Sequence, residues 1–266
     1  MEFIADSVTA KGRFHEKNED SFICDDSFAV IADGMGGEAC GEVASQIAVS
    51  AISSYIKGRL ASHCIEGEIR QLAFAAIHAA DKEISDYIDK HPEAFGMGAA
   101  VLLLIRIERK IYVSWCGDSR CYYYSPAKGI CRLTTDHSYV QQLINEGKIT
   151  VEESFTHPDN NLITNFAGGG DDVCVPEFIA SEFDNDGVII LCSDGLSGYC
   201  RDEEIEREIK RRNVGSLPER LKDLALRKGS DDDITIVAIS PKEGQKRGRM
   251  AIGGWFRRWK KRQLQK

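Results

Sequence analysis

The spacing of apolar residues changes several times along this 266-residue chain, and each change marks an element. Residues 2–10 alternate as a first strand does, and a short strand is expected at 21–24. Phe28-Ala29-Val30-Ile31-Ala32 is an apolar run long enough for a buried strand, and it stops abruptly at Asp33 before Gly34-Met35-Gly36-Gly37. From Glu38 the period becomes helical, with Ala44, Ile47, Ala48, Ala51, Ile52 and Tyr55 on one face. A second helix is predicted from about 66 to 90, with Leu72, Ala76, Ala80, Ile84 and Ile88 apolar and Pro92 and Gly96 closing it. Strands at 99–107, 110–115, 120–125 and 130–133 read as a meander, which puts Asp118 in a hairpin turn. The irregular stretch 134–170 holds a short helix at 138–146 and a glycine run at 168–170. It reads as a flap inserted into the domain, because periodic segments resume on both sides. Strands at 172–179 and 187–193, helices at 202–212 and 217–228, and a last strand at 233–240 complete the pattern.

Three of these runs meet carboxylates at their ends. Phe28–Ala32 ends at Asp33, Val188-Ile189-Ile190-Leu191-Cys192-Ser193 ends at Asp194-Gly195, and Asp231-Asp232-Asp233 opens the run Ile234–Ile239. A strand end fixes such a side chain and leaves its oxygens free to face a cavity. Three carboxylates brought together repel unless a cation lies between them, and a hard divalent ion, Mg²⁺ or Mn²⁺, prefers oxygen ligands. Asp118 fits an ordinary turn aspartate as well as a ligand. The polar segment Lys11–Ser21 fits a solvated loop as well as part of a site.

Composition narrows the class. Hydrophobic residues at 42% and charged residues at 29% describe an ordinary soluble globular chain. No apolar run approaches the ~20 residues that span a bilayer, and residues 1–6 do not resemble a signal peptide. Nine cysteines, an odd number without a Cys-x-x-Cys pair, point to reduced thiols and a cytoplasmic location. The net charge of −8 is uneven: ten basic residues and one acid follow Pro241, a local +9 that leaves −17 on the rest. A body this acidic is not expected to bind nucleic acid. Trp255, Phe256 and Trp259 fall at helical spacing among the bases of the tail. That pattern suits an interfacial helix on anionic lipid, a docking arm for an acidic partner or kinase, or a disordered solubilising end.

Several short motifs then come in one order: Asn18-Glu19-Asp20, Ala32-Asp33-Gly34-Met35-Gly36-Gly37, Gly41-Glu42-Val43-Ala44-Ser45 and Cys116-Gly117-Asp118-Ser119-Arg120, followed by Leu133-Thr134-Thr135-Asp136-His137-Ser138, Ser193-Asp194-Gly195-Leu196 and Asp232-Asp233-Ile234-Thr235. Together they resemble the metal-dependent serine/threonine protein phosphatases of the type 2C (PPM) family, in its compact bacterial form. The resemblance implies an α+β fold, a central antiparallel β-sandwich flanked by helix pairs in four αββα layers with a flap. This domain would span 1–240, and the basic aromatic tail 241–266. It also implies two Mn²⁺ or Mg²⁺ ions: Asp33 bridging both, the Gly34 carbonyl on one, and Asp194 and Asp232 on the other. Glu19 and Asp20 would orient the waters on these ions, and Asp118 would serve a third, weaker site. The implied activity is hydrolysis of phosphoserine and phosphothreonine in proteins, opposing a protein kinase, by a monomeric enzyme.

The chain departs from the family pattern in three places. His15 stands where an arginine usually binds the substrate phosphate, so His15, or Arg13 or Lys17 nearby, is expected to take that role. Gly98-Ala99-Ala100 replaces Gly-Thr-Thr, and Asp233 replaces an asparagine. These changes leave room for a low-activity or non-enzymatic relative that binds a phosphoprotein or regulator. A metal hydrolase of small phosphorylated metabolites is a further alternative.

Overall fold

The unbroken apolar runs become strands that bury both faces, and this is what stacks the molecule in layers. The computed structural model describes residues 3–36, 40–61, 64–169, 173–184, 186–211 and 216–241; the tail expectations lie outside the described residues. One sheet contains β2 (Asp20–Cys24), β3 (Phe28–Met35), β4 (Gly98–Ile107), β5 (Lys110–Cys116) and β8 (Glu177–Glu182), in that order. The other contains β1 (Phe3–Ala10), β10 (Ile234–Pro241), β9 (Val188–Cys192), β6 (Arg120–Ser125) and β7 (Gly129–Arg132). All pairings are antiparallel.

Side-chain alternation along β4 assigns each face. Val101, Leu103 and Ile105 pack with α1 (Gly41–Ile56) and α2 (Glu66–Ile88), while Leu102 and Leu104 meet the second sheet. In the second sheet Ile189, Leu191, Val237 and Ile239 face inward. Ile190, Cys192, Ile234 and Ile236 face outward onto α5 (Asp194–Ser197), α6 (Asp202–Lys210) and α7 (Leu217–Arg227). Three apolar interlayers separate four layers, the αββα arrangement that was expected. Burial of each such aliphatic side chain contributes roughly 1.5–3 kcal/mol. No helix among the described residues is long and apolar enough to cross a membrane.

Three expectations need correction. The stretch 98–132 is not one meander: β4–β5 and β6–β7 are hairpins, but the Gly117–Ser119 link crosses from one sheet to the other. Gly117 makes that crossing possible, with φ +127° and Ala100 so close that an added Cβ would lie 2.3 Å from its methyl. Asp118 is therefore buried between the sheet ends and does not sit in a hairpin turn. The strand expected at 172–179 runs instead from Glu177 to Glu182, because its partner in the ladder is β5. The flap carries α3 (Tyr139–Asn145) and α4 (Val151–Ser154), and it is pinned at its base. Ala99 and Ala167 exchange both backbone hydrogen bonds, at 2.8 and 3.0 Å.

Candidate active site

Antiparallel pairing brings the carboxylates to one end of the sandwich. Asp33 lies two residues before the end of β3, between Asp20 on β2 and Ala100 on β4, so the ladder holds it from both sides. Asp194 follows β9 as the first residue of α5, and Asp232 and Asp233 precede β10. Asp118 comes from the crossing link. Thus strand starts and strand ends from both sheets meet, which explains how residues so distant in sequence converge. The strand carrying Asp33 continues to Met35, past the expected stop.

The backbone beside Asp33 is as closely fitted as a ligating carbonyl requires. Gly34 donates its N–H to the Glu19 carbonyl at 3.2 Å, and an added Cβ there would sit 2.0 Å from the Gly41 carbonyl oxygen. Only glycine fits. The Glu19 carboxylate lies over Gly41 at the start of α1, and Lys17 forms an ion pair with Glu42 in that first turn. Asp20 accepts from the Ser193 hydroxyl at 2.8 Å, tying β2 to the other sheet.

The electrostatics of this cluster are dominated by burial and mutual repulsion. Asp33 and Asp194 are half-buried and held far above the usual carboxylate range, first by loss of solvent; Asp20, Asp194, Asp118 and Asp232 then add to Asp33, and Asp118, Asp232 and Asp20 to Asp194. Burial pushes Asp20 and Asp118 up to about 7, with Asp233 and Asp232 adding to the first and Asp136 to the second. Asp232 and Glu19 are raised too, again chiefly by burial. Like charges ~4 Å apart repel by about 4 kcal/mol at an intermediate effective dielectric, so a cluster of this kind calls for a cation.

A divalent ion fits what is present. Asp20 Oδ1, Glu42 Oε2 and Asp118 Oδ1 are buried and have no hydrogen-bond partner, and all lie in or beside the cluster. The donor set is all oxygen, as hard cations prefer. Nearby charge does not fill the gap. The half-buried Arg120 guanidinium is spent on Asp136, with contacts of 2.6 and 3.0 Å, and it also donates to the Ser197 carbonyl.

His15 and Asp233 meet each other. His15 Nδ1 lies 3.0 Å from Asp233 Oδ2, and its Nε2 lies 3.9 Å from Asp232 Oδ1. The hydrogen bond to Asp233 raises the imidazole above its ordinary value. Asp233 also accepts from the Gly12 and Glu19 N–H groups, each at 2.6 Å, so it organises the loop that carries His15. His15, Asp232 and Asp233 are the group among the described residues whose ligand atoms close within 4.8 Å; the wider Asp33, Asp194 and Asp232 set does not.

Sequence reasoning missed this hub role of Asp233, which sits beside Asp232 just before β10 and meets the same imidazole. It also missed Asp136 as the partner of Arg120, and the clamp built by His137 and Asn165. His137 Nδ1 accepts from Gly117 N at 3.1 Å, while Asn165 donates to that nitrogen at 2.9 Å and to the Val175 carbonyl. The motif around Asp136-His137 was visible, but nothing in a linear pattern gives its partners.

Residues 15–225 match the family model of protein phosphatase 2C. The chain is 32% identical to the serine/threonine protein phosphatase PstP of Mycobacterium tuberculosis, over 85% of its own length and 43% of that protein. It thus spans less than half of PstP. Serine/threonine phosphatase stp of Listeria monocytogenes is 31% identical, over 88% of this chain and 94% of its own. Among solved structures, Mycobacterium tuberculosis PstP superposes with a TM-score of 0.82 at 30% identity, covering 91% of this chain and 100% of that one. A PstP catalytic domain in complex with two manganese ions gives 0.78 at 29% identity, covering 90% and 98%. Motif order, layered fold and these similarities agree, and the chain belongs to the protein phosphatase 2C family.

Proposed function

We propose that this protein hydrolyses phosphoserine and phosphothreonine in proteins, using two Mn²⁺ or Mg²⁺ ions, and that it opposes a cognate serine/threonine kinase. The observation that carries the reading is the convergence of Asp33, Asp194, Asp118, Asp20 and Asp232 at one end of the sandwich, more carboxylates than the His15 ring beside Asp232 and the Arg120 guanidinium near Asp118 can balance. Asp33, the Gly34 carbonyl, Asp194 and Asp232 would hold the two ions, and Asp118 a third. When bound, such ions supply the Lewis acidity that ionises a water at neutral pH and neutralises a phosphoryl group under attack. The chain's own part is to hold these oxygens rigidly and to orient solvent through Glu19 and Asp20. His15 presents a protonated ring edge to the substrate phosphate, its other nitrogen fixed by Asp233. Lys17 is less suited to that role because Glu42 already engages it.

The domain assignment follows the same reading: a catalytic unit over 1–240 acting as a monomer in the cytoplasm, and the tail from 241 contacting anionic membrane or an acidic partner. β10, the last strand of that unit, runs from Ile234 to Pro241. The test is phosphate release from a phosphothreonine peptide with Mn²⁺, with chelator, and with a phosphorylated metabolite in competition. Metal-dependent release that the metabolite does not suppress supports the reading. Absence of release at any metal concentration would move the protein to the non-enzymatic class.

A further inference from the structure

A groove of about 400 Å³ begins at Asp231, one residue before Asp232, and runs between the Lys11–Phe14 stretch and the end of α7. Its two walls carry large apolar side chains left in solvent: Phe14 is 73% exposed and Leu226 51%. Lys11 and Arg13 stand on the same wall as Phe14. Among the described residues neither has a carboxylate partner: Lys11 donates to the His15 carbonyl, and the Arg13 guanidinium lies 5.5 Å from the centre of the Phe14 ring. Asp231, whose carboxylate accepts from the Tyr199 hydroxyl, also lines the groove, so two cations against one carboxylate leave it net positive. Lys11 and Arg13, an excess of positive charge beside exposed apolar surface, are unexpected on a body that carries −17. They provide local attraction for anionic groups where the rest of the molecule repels them.

We infer that this groove holds the polypeptide flanking the phosphorylated residue, and that it selects phosphopeptides with acidic and apolar side chains beside the phosphoresidue. The inference rests on the phosphatase reading above and adds a substrate class to it. The geometry suits it. The loop that forms one wall is stitched to the acid cluster by Gly12 N–H to Asp233 and Arg13 N–H to the Asp231 carbonyl. A residue two to four positions from the phosphate, at about 3.3 Å per extended residue, therefore falls within reach of Lys11, Arg13, Phe14 and Leu226. Apolar contact anchors the chain, and the cations choose its charge.

The test uses the full chain and two phosphothreonine peptides that differ only in their flanks, Glu and Leu in one and Lys and Ala in the other. With Mn²⁺ at low ionic strength, kcat/KM is expected to favour the acidic, apolar peptide by about tenfold. The double variant Lys11→Glu/Arg13→Glu should reduce that preference to about twofold or less, and Phe14→Ala should lower it separately. Lys128→Glu, a charge reversal at the opposite end of β6 from Asp118, should retain it. Equal kcat/KM for the two peptides in the wild type, or a preference that survives Lys11→Glu/Arg13→Glu, overturns the inference. Fluorescence anisotropy of the labelled peptides in chelator separates it from the parent reading. Discrimination in binding without turnover keeps the groove and rejects the phosphatase, and turnover without discrimination does the reverse.

Discussion

At the scale of the residue, two departures from the family pattern explain one another. His15 replaces an arginine and Asp233 an asparagine, and these two side chains meet at 3.0 Å. A ring that carries only part of a charge in water gains a carboxylate that holds its proton. Asp233→Ala removes the acceptor of two buried N–H groups as well as this contact, and is expected to destabilise the protein by roughly 2–4 kcal/mol in denaturant unfolding. His15→Ala leaves those N–H groups satisfied, so it should raise KM for a phosphopeptide severalfold with little loss of thermal stability; an unchanged KM would remove His15 from the phosphate site. Asp33→Asn separates function from folding. Metal-dependent turnover should fall a hundredfold or more, while the metal-free protein gains several degrees in Tm because the cost of holding a carboxyl among like groups out of water has gone.

At the scale of the element, the crossing link at Gly117–Ser119 decides whether the two sheets share a site. Gly117→Ala must accept both a left-handed φ and a clash with Ala100, so a loss of more than about 2 kcal/mol and of activity is expected. Most elements were legible in the sequence because their periods are unmixed: α1 and α2 in their apolar faces, β3, β4 and β9 in their unbroken runs. What escaped was pairing. An apolar run does not state which sheet it joins, so β5 and β6 looked like neighbours in a hairpin when they belong to opposite sheets. The strand before β9 shifted for the same reason, since its limits follow β5 and not its own side chains. The acids of the site were legible at strand ends, whereas their partners (Asp233 for His15, Asp136 for Arg120, Asn165 for His137) depend on contacts that no linear pattern carries.

At the scale of the whole molecule, stability and the site are linked through protons and metal. Asp20 and Asp118 move from the ordinary aspartate value near 3.8 up to about 7 on folding, and Asp33 and Asp194 move in the same direction. The folded state therefore binds more protons than the unfolded chain. Stability from these groups is complete below about pH 4 and is lost as pH rises through 7. Metal-free protein should accordingly show a Tm that falls between pH 5 and pH 8, and saturating Mn²⁺ should remove that decline by replacing protons as the counter-charge. The body's charge of −17 adds a uniform self-repulsion in the same direction, which salt screens while the local metal effect persists. Calorimetric titration of the metal-free protein with Mn²⁺ at pH 7.5 probes the convergence of these acids most directly. Two or more ions per chain, with protons released and with binding lost in Asp33→Asn and in Asp194→Asn, is the predicted result; a single weak ion per chain, indifferent to both substitutions, would contradict it.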